Sequence, residues 1–427
     1  MFDLNTSASF NNNERQLYFL FLIRIYLMPK KHHIQLQTGE LQVSVLRARF
    51  PLDTLLTFGS RLNPKRRFLF VSKVLGKYVP CKPNAMRESY LAMALQIQPF
   101  IDESANVWVL GVAETATGLA AGVAQEIKRN STANMMLDEN AIFDKTNIEK
   151  KLVFSHTTRC ELAKDIDFKI VEAHSHAPSH LIYQLEHEHN YQDVTSVVLV
   201  DDEISTGKTL AQLTENILER LPHLTTITWA SLVNWISEQD RQLFKKRYPS
   251  ISLEFCSLLD GTFSFCADER FQEKLPEKTA TGISNASCLS NIGRTGYLMN
   301  TQPSVEFKCL AGQLITSTLD INKAYIVIGT GEFSYQPFLL AEYMQQQGFD
   351  VLFQSTGRSP AIKDHGINSK LSGFDEGQQG TYYLYNFPQD RQPIICYENV
   401  EQYQSCPFKD ALQAQVAILD SFSVNAG

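Results

Sequence analysis

Short apolar runs rich in β-branched residues recur along the chain, each leading through a polar turn into helical spacing. Val107–Val112, Lys151–Ser155, Phe168–Glu172, Val197–Val200, Thr225–Leu232 and Ile251–Leu258 read as strands. Runs this short with few polar interruptions suit strands covered on both faces of a parallel sheet. Leu119–Ile127, Leu210–Leu221 and Glu238–Arg247 read as helices between them. The order predicts an α/β fold with a doubly wound parallel sheet, its ligand loops at the carboxyl ends of the strands. Ahead of it, alternation at Leu36, Leu41, Val43 and Val45 predicts a hairpin through Thr38-Gly39. Pro51–Phe58 reads as a helical turn, Phe68–Val71 as a strand and Met86–Leu95 as a helix.

The pattern lapses between Asp260 and Ser290, and a second, smaller α/β unit begins near Ile292. Its strands are expected at Ala324–Ile328, Asp350–Phe353, Tyr382–Tyr385 and Ile394–Tyr397, with helices at Pro337–Gln347 and Asp410–Leu419. The apolar run Leu17–Met28 is broken by Arg24 and is too short to span a bilayer. The expected organisation is an extension outside the fold over 1–27, a first domain over 28–270, a linker over 271–290 and a second domain over 291–427.

Composition narrows the classes. A net charge of −7 and a pI near 5.8, with no basic patch interleaved with aromatics, argue against a nucleic-acid partner. No membrane partner is expected either, and a cytoplasmic location is. Eight cysteines lie scattered without C-x-x-C spacing, which reads as reduced, mostly buried thiols. His174, His176 and His180 surround Pro178 in what reads as a loop of neutral hydrogen bonders, without the spacing of a zinc site.

The chemistry concentrates in Thr195–Leu210. The strand Val197–Val200 ends on Asp201, Asp202 and Glu203, and Ser205-Thr206-Gly207-Lys208-Thr209 then opens a helix. Free N–H groups at a helix start suit a phosphate, and paired carboxylates suit sugar hydroxyls. A nucleoside-triphosphate P-loop needs a glycine five residues before Gly207, where Asp202 stands, so that reading fails. Glu114-Thr115-Ala116-Thr117-Gly118 repeats the strand–loop–helix arrangement upstream, and Arg61–Arg67 is a cationic loop that reads equally as a site for phosphate or carboxylate and as a solvated charge run. In the C-terminal half, Gly329-Thr330-Gly331-Glu332 and Ser355-Thr356-Gly357-Arg358-Ser359 follow neighbouring strands and should face one crevice, a candidate second site. Gly329-Thr330-Gly331 lacks the third glycine of a dinucleotide fingerprint.

The Thr195–Leu210 stretch resembles the phosphoribosyl pyrophosphate (PRPP) motif of type I phosphoribosyltransferases. Gly-Thr-Gly-Glu-Phe at Gly329–Phe333 and Thr-x-Arg-Ser-Pro at Thr356–Pro360 resemble the TRSP domain. That domain follows a distinctive phosphoribosyltransferase domain in bacterial proteins encoded beside tellurium-resistance and stress-response genes. Asn63-Pro64-Lys65-Arg66, Phe68–Lys77, Glu114–Gly118 and His174–Ala177 are similar to the same group, so the resemblance covers roughly 34–420. Gly357 departs from it, standing where a threonine is expected.

The resemblance implies Mg²⁺-dependent transfer at C1 of PRPP with pyrophosphate release, in a specialised biosynthetic pathway. Asp201 and Asp202 would hold the ribose hydroxyls with Glu203 beside them, and Ser205, Thr206, Gly207, Lys208 and Thr209 the 5-phosphate. Glu114, Thr115, Ala116, Thr117 and Gly118 would receive the pyrophosphate, and Arg159 would close over it from a mobile hairpin. Mg²⁺ would be held mainly by PRPP, with no direct protein ligand. Expected partners are PRPP, a small-molecule acceptor, a second copy of the chain in a homodimer, and products of neighbouring genes. The reverse reaction, and a PRPP- or nucleotide-sensing regulator without turnover, stand as alternatives.

Overall fold

The structure is a computed structural model. It describes residues 30–63, 65–102, 105–137, 151–171, 179–185, 193–271, 292–375 and 380–405, together with 408, 412 and 415–418. The expected extension over 1–27 lies outside the described residues, as do 272–290 of the expected linker.

The chain opens with the hairpin β1 (Lys30–Leu36) and β2 (Gly39–Ala48), then a separate hairpin, β3 (Leu56–Ser60) and β4 (Phe68–Ser72). Strands β5 (Asn106–Gly111) and β6 (Leu152–His156) precede an antiparallel pair, β7 (Ile166–Val171) and β8 (Ser179–Tyr183). Then come β9 (Val194–Ile204), β10 (Thr226–Asn234), β11 (Ser252–Ala267) and the short β12 (Tyr297–Leu298). The main sheet has the order β1-β2-β11-β10-β9-β5-β6-β12, parallel from β11 to β6 and antiparallel at both margins. Successive residues of β9 face opposite cores: Val198 and Val200 one, Val197 and Leu199 the other. That is why the run is apolar without alternation.

Helices α1 (Pro83–Ile97) and α2 (Thr117–Leu137) cover the first face, α1 beginning on a proline whose missing N–H costs nothing there. Helix α3 (Lys208–Leu218) packs on the other, and α4 (Glu238–Arg247) is capped by the Ser237 hydroxyl, which accepts from the Asp240 N–H. The second unit has α5 (Val305–Thr318), α6 (Tyr335–Gln346) and α7 (Val400–Ser405). Its strands β13 (Ala324–Gly329), β14 (Asp350–Ser355), β17 (Gln392–Tyr397) and β18 (Gln415–Ile418) form a parallel sheet in the order β14-β13-β17-β18. A hairpin of β15 (Lys370–Asp375) and β16 (Gly380–Tyr385) stands beside it.

Two expectations are corrected. The helix expected at Asp410–Leu419 is a strand over Gln415–Ile418, where Val416 pairs with Ile395 and Ile418 with Tyr397. The open edge of β17 offers backbone partners that outweigh the helical spacing. Cys160 is disulfide-bonded, so the reading of all eight cysteines as reduced thiols fails there. Cys81, Cys256 and Cys396 are buried free thiols.

The two units share one core. Helix α6 lies between its own sheet and helices α1 and α2, with the Phe338 ring 5.3 Å from that of Tyr90. Arg87 of α1 binds Glu342 of α6 at 2.6 and 2.7 Å and Glu126 of α2 at 3.0 Å. Cys81 exchanges two backbone hydrogen bonds with Phe353 of β14. Strand β12 belongs to the first sheet although it follows residue 291.

Candidate active site

Strand β9 runs on through its acids at its carboxyl end, where Asp201 pairs with Ser231 and Glu203 with Val233 of β10. Asp201, Asp202 and Glu203 are half-buried, and the chain turns back at Gly207 with φ 72° to start α3. A Cβ on Gly207 would lie 2.9 Å from both Ile236 and Trp229, so packing and backbone both demand glycine there. The Asp201 carboxylate accepts the N–H of Asp202 at 2.9 Å, and Asp202 accepts the Thr115 hydroxyl at 2.7 Å. Thus the second acid and the upstream loop are joined before any ligand enters. Glu203 is held by Arg66 through two bonds of 2.7 and 2.8 Å. Burial pushes the Glu203 pKa up, with Arg66 opposing.

These groups border a cavity of about 330 Å³. Asp201, Asp202, Glu203, Ser205, Thr206, Gly207, Lys208 and Thr209 all line it, as do Glu114 and Thr115. Ala116, Thr117 and Gly118 do not. Ala116 is buried in the shared core. The Thr117 hydroxyl meets the Glu332 carbonyl and the Ser334 hydroxyl at 3.0 Å each. A Cβ on Gly118 would lie 2.7 Å from Ser334, so this glycine lets the second unit approach.

Part of the candidate second site opens onto the cavity of the acids. Arg358 and Ser359 line the same cavity as the acids. Arg358 lies 3.3 Å from the Glu114 carboxylate and donates to the Tyr382 hydroxyl at 2.8 Å. Gly357 exchanges two backbone bonds with Tyr383, which pin the loop despite the missing threonine. The remaining residues are spent on contacts. Gly331 N–H donates to the Thr356 hydroxyl, Thr330 to the Cys396 carbonyl, and Ser355 N–H to the Gly76 carbonyl. Thr356 N–H donates to the Gly329 carbonyl.

Glu332 is buried and accepts from the Thr158 hydroxyl at 2.5 Å, the Arg159 N–H at 2.7 Å and Arg294 at 3.1 Å. Burial alone would raise its pKa, but Arg294, His156 and the Thr158 hydroxyl outweigh it and hold the carboxyl at about 2. Arg294 also makes a two-pronged pair with Glu398 at 2.7 and 2.8 Å. One cation therefore joins two carboxylates inside the boundary between the units.

Arg159 differs from its expected placement. It follows β6 and is built into the buried wall, where it lines the cavity; the hairpin β7–β8 comes after it. Its Nη2 lies 3.2 Å from Nε2 of His180. That nitrogen accepts, so His180 Nδ1 donates to the Thr157 hydroxyl at 2.8 Å, which also accepts the Ala113 N–H. His180 is a buried strand residue instead of a loop group. His174 and His176 lie outside the described residues. Among the described residues, no three metal-ligating side chains gather, and no helix is long and apolar enough to cross a membrane.

Two protein-family models match the chain. One, described as phosphoribosyl transferase, matches residues 55–262; the other, a TRSP domain C-terminal to that transferase domain, matches residues 292–412. The chain carries a phosphoribosyltransferase domain followed by a TRSP domain. Similar solved structures include the adenine phosphoribosyltransferase of Trypanosoma brucei, 13% identical with a TM-score of 0.32, over 49% of this chain and 77% of that one. The orotate phosphoribosyltransferase of Aeropyrum pernix is 15% identical with a TM-score of 0.28, over 49% and 89%. No curated protein matches.

This phosphoribosyltransferase carries cavity residues that the sequence did not single out as site residues. Lys77 is buried, donating to the carbonyls of Gly331 at 2.7 Å and Thr356 at 3.1 Å, with Glu114 at 3.7 Å. Burial pulls its pKa down, against the attraction of Glu114, Glu332 and Asp202. Its signal was Gly76, whose φ of 69° and approach to Phe353 set the turn. Tyr78 and Tyr385 complete one wall, their rings 5.3 Å apart. Nothing in the spacing of these tyrosines marks them, because they lie more than 300 residues apart.

Proposed function

We propose that the cavity binds PRPP with Mg²⁺ and transfers its phosphoribosyl group to a small-molecule acceptor. The observation that carries this reading is the convergence of Asp201–Asp202, the Ser205–Thr209 turn and the Glu114–Thr115 loop on one cavity. Asp201 and Asp202 orient the ribose hydroxyls, and the helix start at Gly207 receives the 5-phosphate. Glu114 and Thr115 border the pyrophosphate, with Arg159 and Arg358 supplying positive charge from the wall. The C1–oxygen bond to pyrophosphate breaks, a bond from C1 to the acceptor nucleophile forms, and the acceptor gives up its proton. The protein contributes position and electrostatics, not a covalent intermediate.

Mg²⁺ held mainly by PRPP fits the site, since the carboxylates of Asp201 and Asp202 can accept from the ribose hydroxyls that it would share. When bound it would offset the charge of the leaving pyrophosphate. We take residues 28–270 and 291–427 as the two functional units, joined through 271–290. The acceptor and product are proposed to belong to a specialised stress-associated pathway of the cytoplasm. Purified protein, PRPP and Mg²⁺ are incubated with bases and amines, and pyrophosphate is followed. Release dependent on an acceptor is expected. PRPP binding without release under any acceptor would favour a sensing role.

A further inference from the structure

The residues assigned to the phosphoribosyl donor leave one wall of the cavity, around Arg61, Tyr78 and Tyr385, without a role. Among the cations lining the cavity, Arg66 is matched by Glu203, Arg358 by Glu114 and Tyr382, and Lys77 by two carbonyls and Glu114, while Arg159 lies on His180 and the exposed Lys208 belongs to the turn assigned to the 5-phosphate. Arg61 is different. Its guanidinium has no hydrogen-bond or ion-pair partner among the described residues, and its Nε is closed to solvent. The carboxylate that bears on it electrostatically, Glu203, is already taken on both oxygens by Arg66. Burial pulls the Arg61 pKa down, the direction expected of a cation that lacks compensation.

The position is fixed from both units. Arg61 N–H donates to the Arg67 carbonyl at 2.9 Å, and Arg61 forms a β-bridge with Ala361 of the TRSP half. Beside it stand the phenols of Tyr78 and Tyr385, and the Tyr385 hydroxyl is tied to the Ser359 carbonyl at 2.6 Å. Leu69 and Phe70 supply the apolar part of this wall. A part-buried cation without a counter-ion is useful where an anion arrives with the ligand. Aromatic and aliphatic neighbours favour a flat ring. We propose that Arg61, with Tyr78 and Tyr385, forms the acceptor subsite, and that the acceptor is a planar ring bearing a carboxylate. The TRSP half supplies part of the acceptor wall, so neither unit recognises the acceptor alone. This inference rests on the reading that Asp201 and Asp202 hold the donor.

Matched probes test it on the full chain. Orotate is compared with uracil, and nicotinate with nicotinamide, by pyrophosphate release from PRPP and Mg²⁺, in wild type, R61K and R61Q. PRPP affinity is measured separately by calorimetry without acceptor. The acid of at least one pair should drive release while its uncharged counterpart does not. R61Q should lower kcat/KM for that acid roughly 30-fold, the loss of one charge-assisted pair. R61K should recover part of it, PRPP affinity should be unchanged in both variants, and R61Q should not lower Tm, since it removes a cation that the free protein leaves uncompensated. The proposal is overturned if uncharged rings serve as well as acids, or if no acid ring responds. It is also overturned if R61Q weakens PRPP tenfold or more, which would place Arg61 on the donor. Failure of wild type to bind PRPP would instead overturn the donor reading, and this one with it.

Discussion

Gly207 shows how tightly one residue can be specified, because its positive φ and its contacts with Ile236 and Trp229 each exclude a side chain. Gly207→Ala should cost about 1–3 kcal/mol of stability and weaken PRPP together with it, as read by thermal denaturation and calorimetry. Asp201→Asn combined with Asp202→Asn should behave differently. PRPP binding should be lost, while Tm stays within a few degrees, since neither acid is fully buried. Glu332 gives a pH signature. Its carboxyl lies at about 2 in the folded chain against an ordinary 4.5, so folding favours the charged form. That contribution, on the order of 3 kcal/mol, is complete above about pH 4.5 and lost as pH falls through about 2. Wild type should therefore lose stability on acidification from pH 5 to 2 more steeply than Glu332→Gln. Equal slopes in urea titrations across that range would contradict the assignment.

At the level of elements, the parallel strands and the loop between β9 and α3 were readable because local chemistry defines them. Val197–Val200 is apolar on both sides of the sheet, and Asp-Asp-Glu followed by Ser-Thr-Gly-Lys-Thr marks its end. The Glu114–Gly118 loop was only half readable. Its position after β5 was legible, but Thr117 and Gly118 turn to Ser334, more than 200 residues away, and long-range pairing leaves no periodic trace. Arg159 was misplaced for the same reason: the partners that bury it, Glu332 and His180, come from other elements. The Arg294 network joins those elements, so Arg294→Met should leave Glu332 and Glu398 buried without their cation. A loss of about 3–5 kcal/mol is expected, measured by chemical denaturation; a loss below 1 kcal/mol would mean the network is solvated.

For the whole molecule, two α/β units were legible in the order of strands and helices, but their shared core was not. Helix α6 is buried nearly all round, Tyr335 to Ala341 in one run, and such a run shows that the helix is covered without showing that α1 and α2 cover it. Because Phe338 packs on Tyr90 and Arg358 reaches Glu114, the first unit alone lacks both a cover and a wall of its cavity. A chain ending at residue 271 should expose that apolar surface and self-associate, seen by light scattering. A stable monomer with the full-length Tm would contradict a shared core. The central claim is that the acids of β9 hold a phosphoribosyl donor. Calorimetry of the full chain with PRPP and Mg²⁺, beside the Asp201→Asn, Asp202→Asn double variant, tests it most directly. The account predicts saturable binding to wild type and none to the variant; equal affinity for both would contradict it.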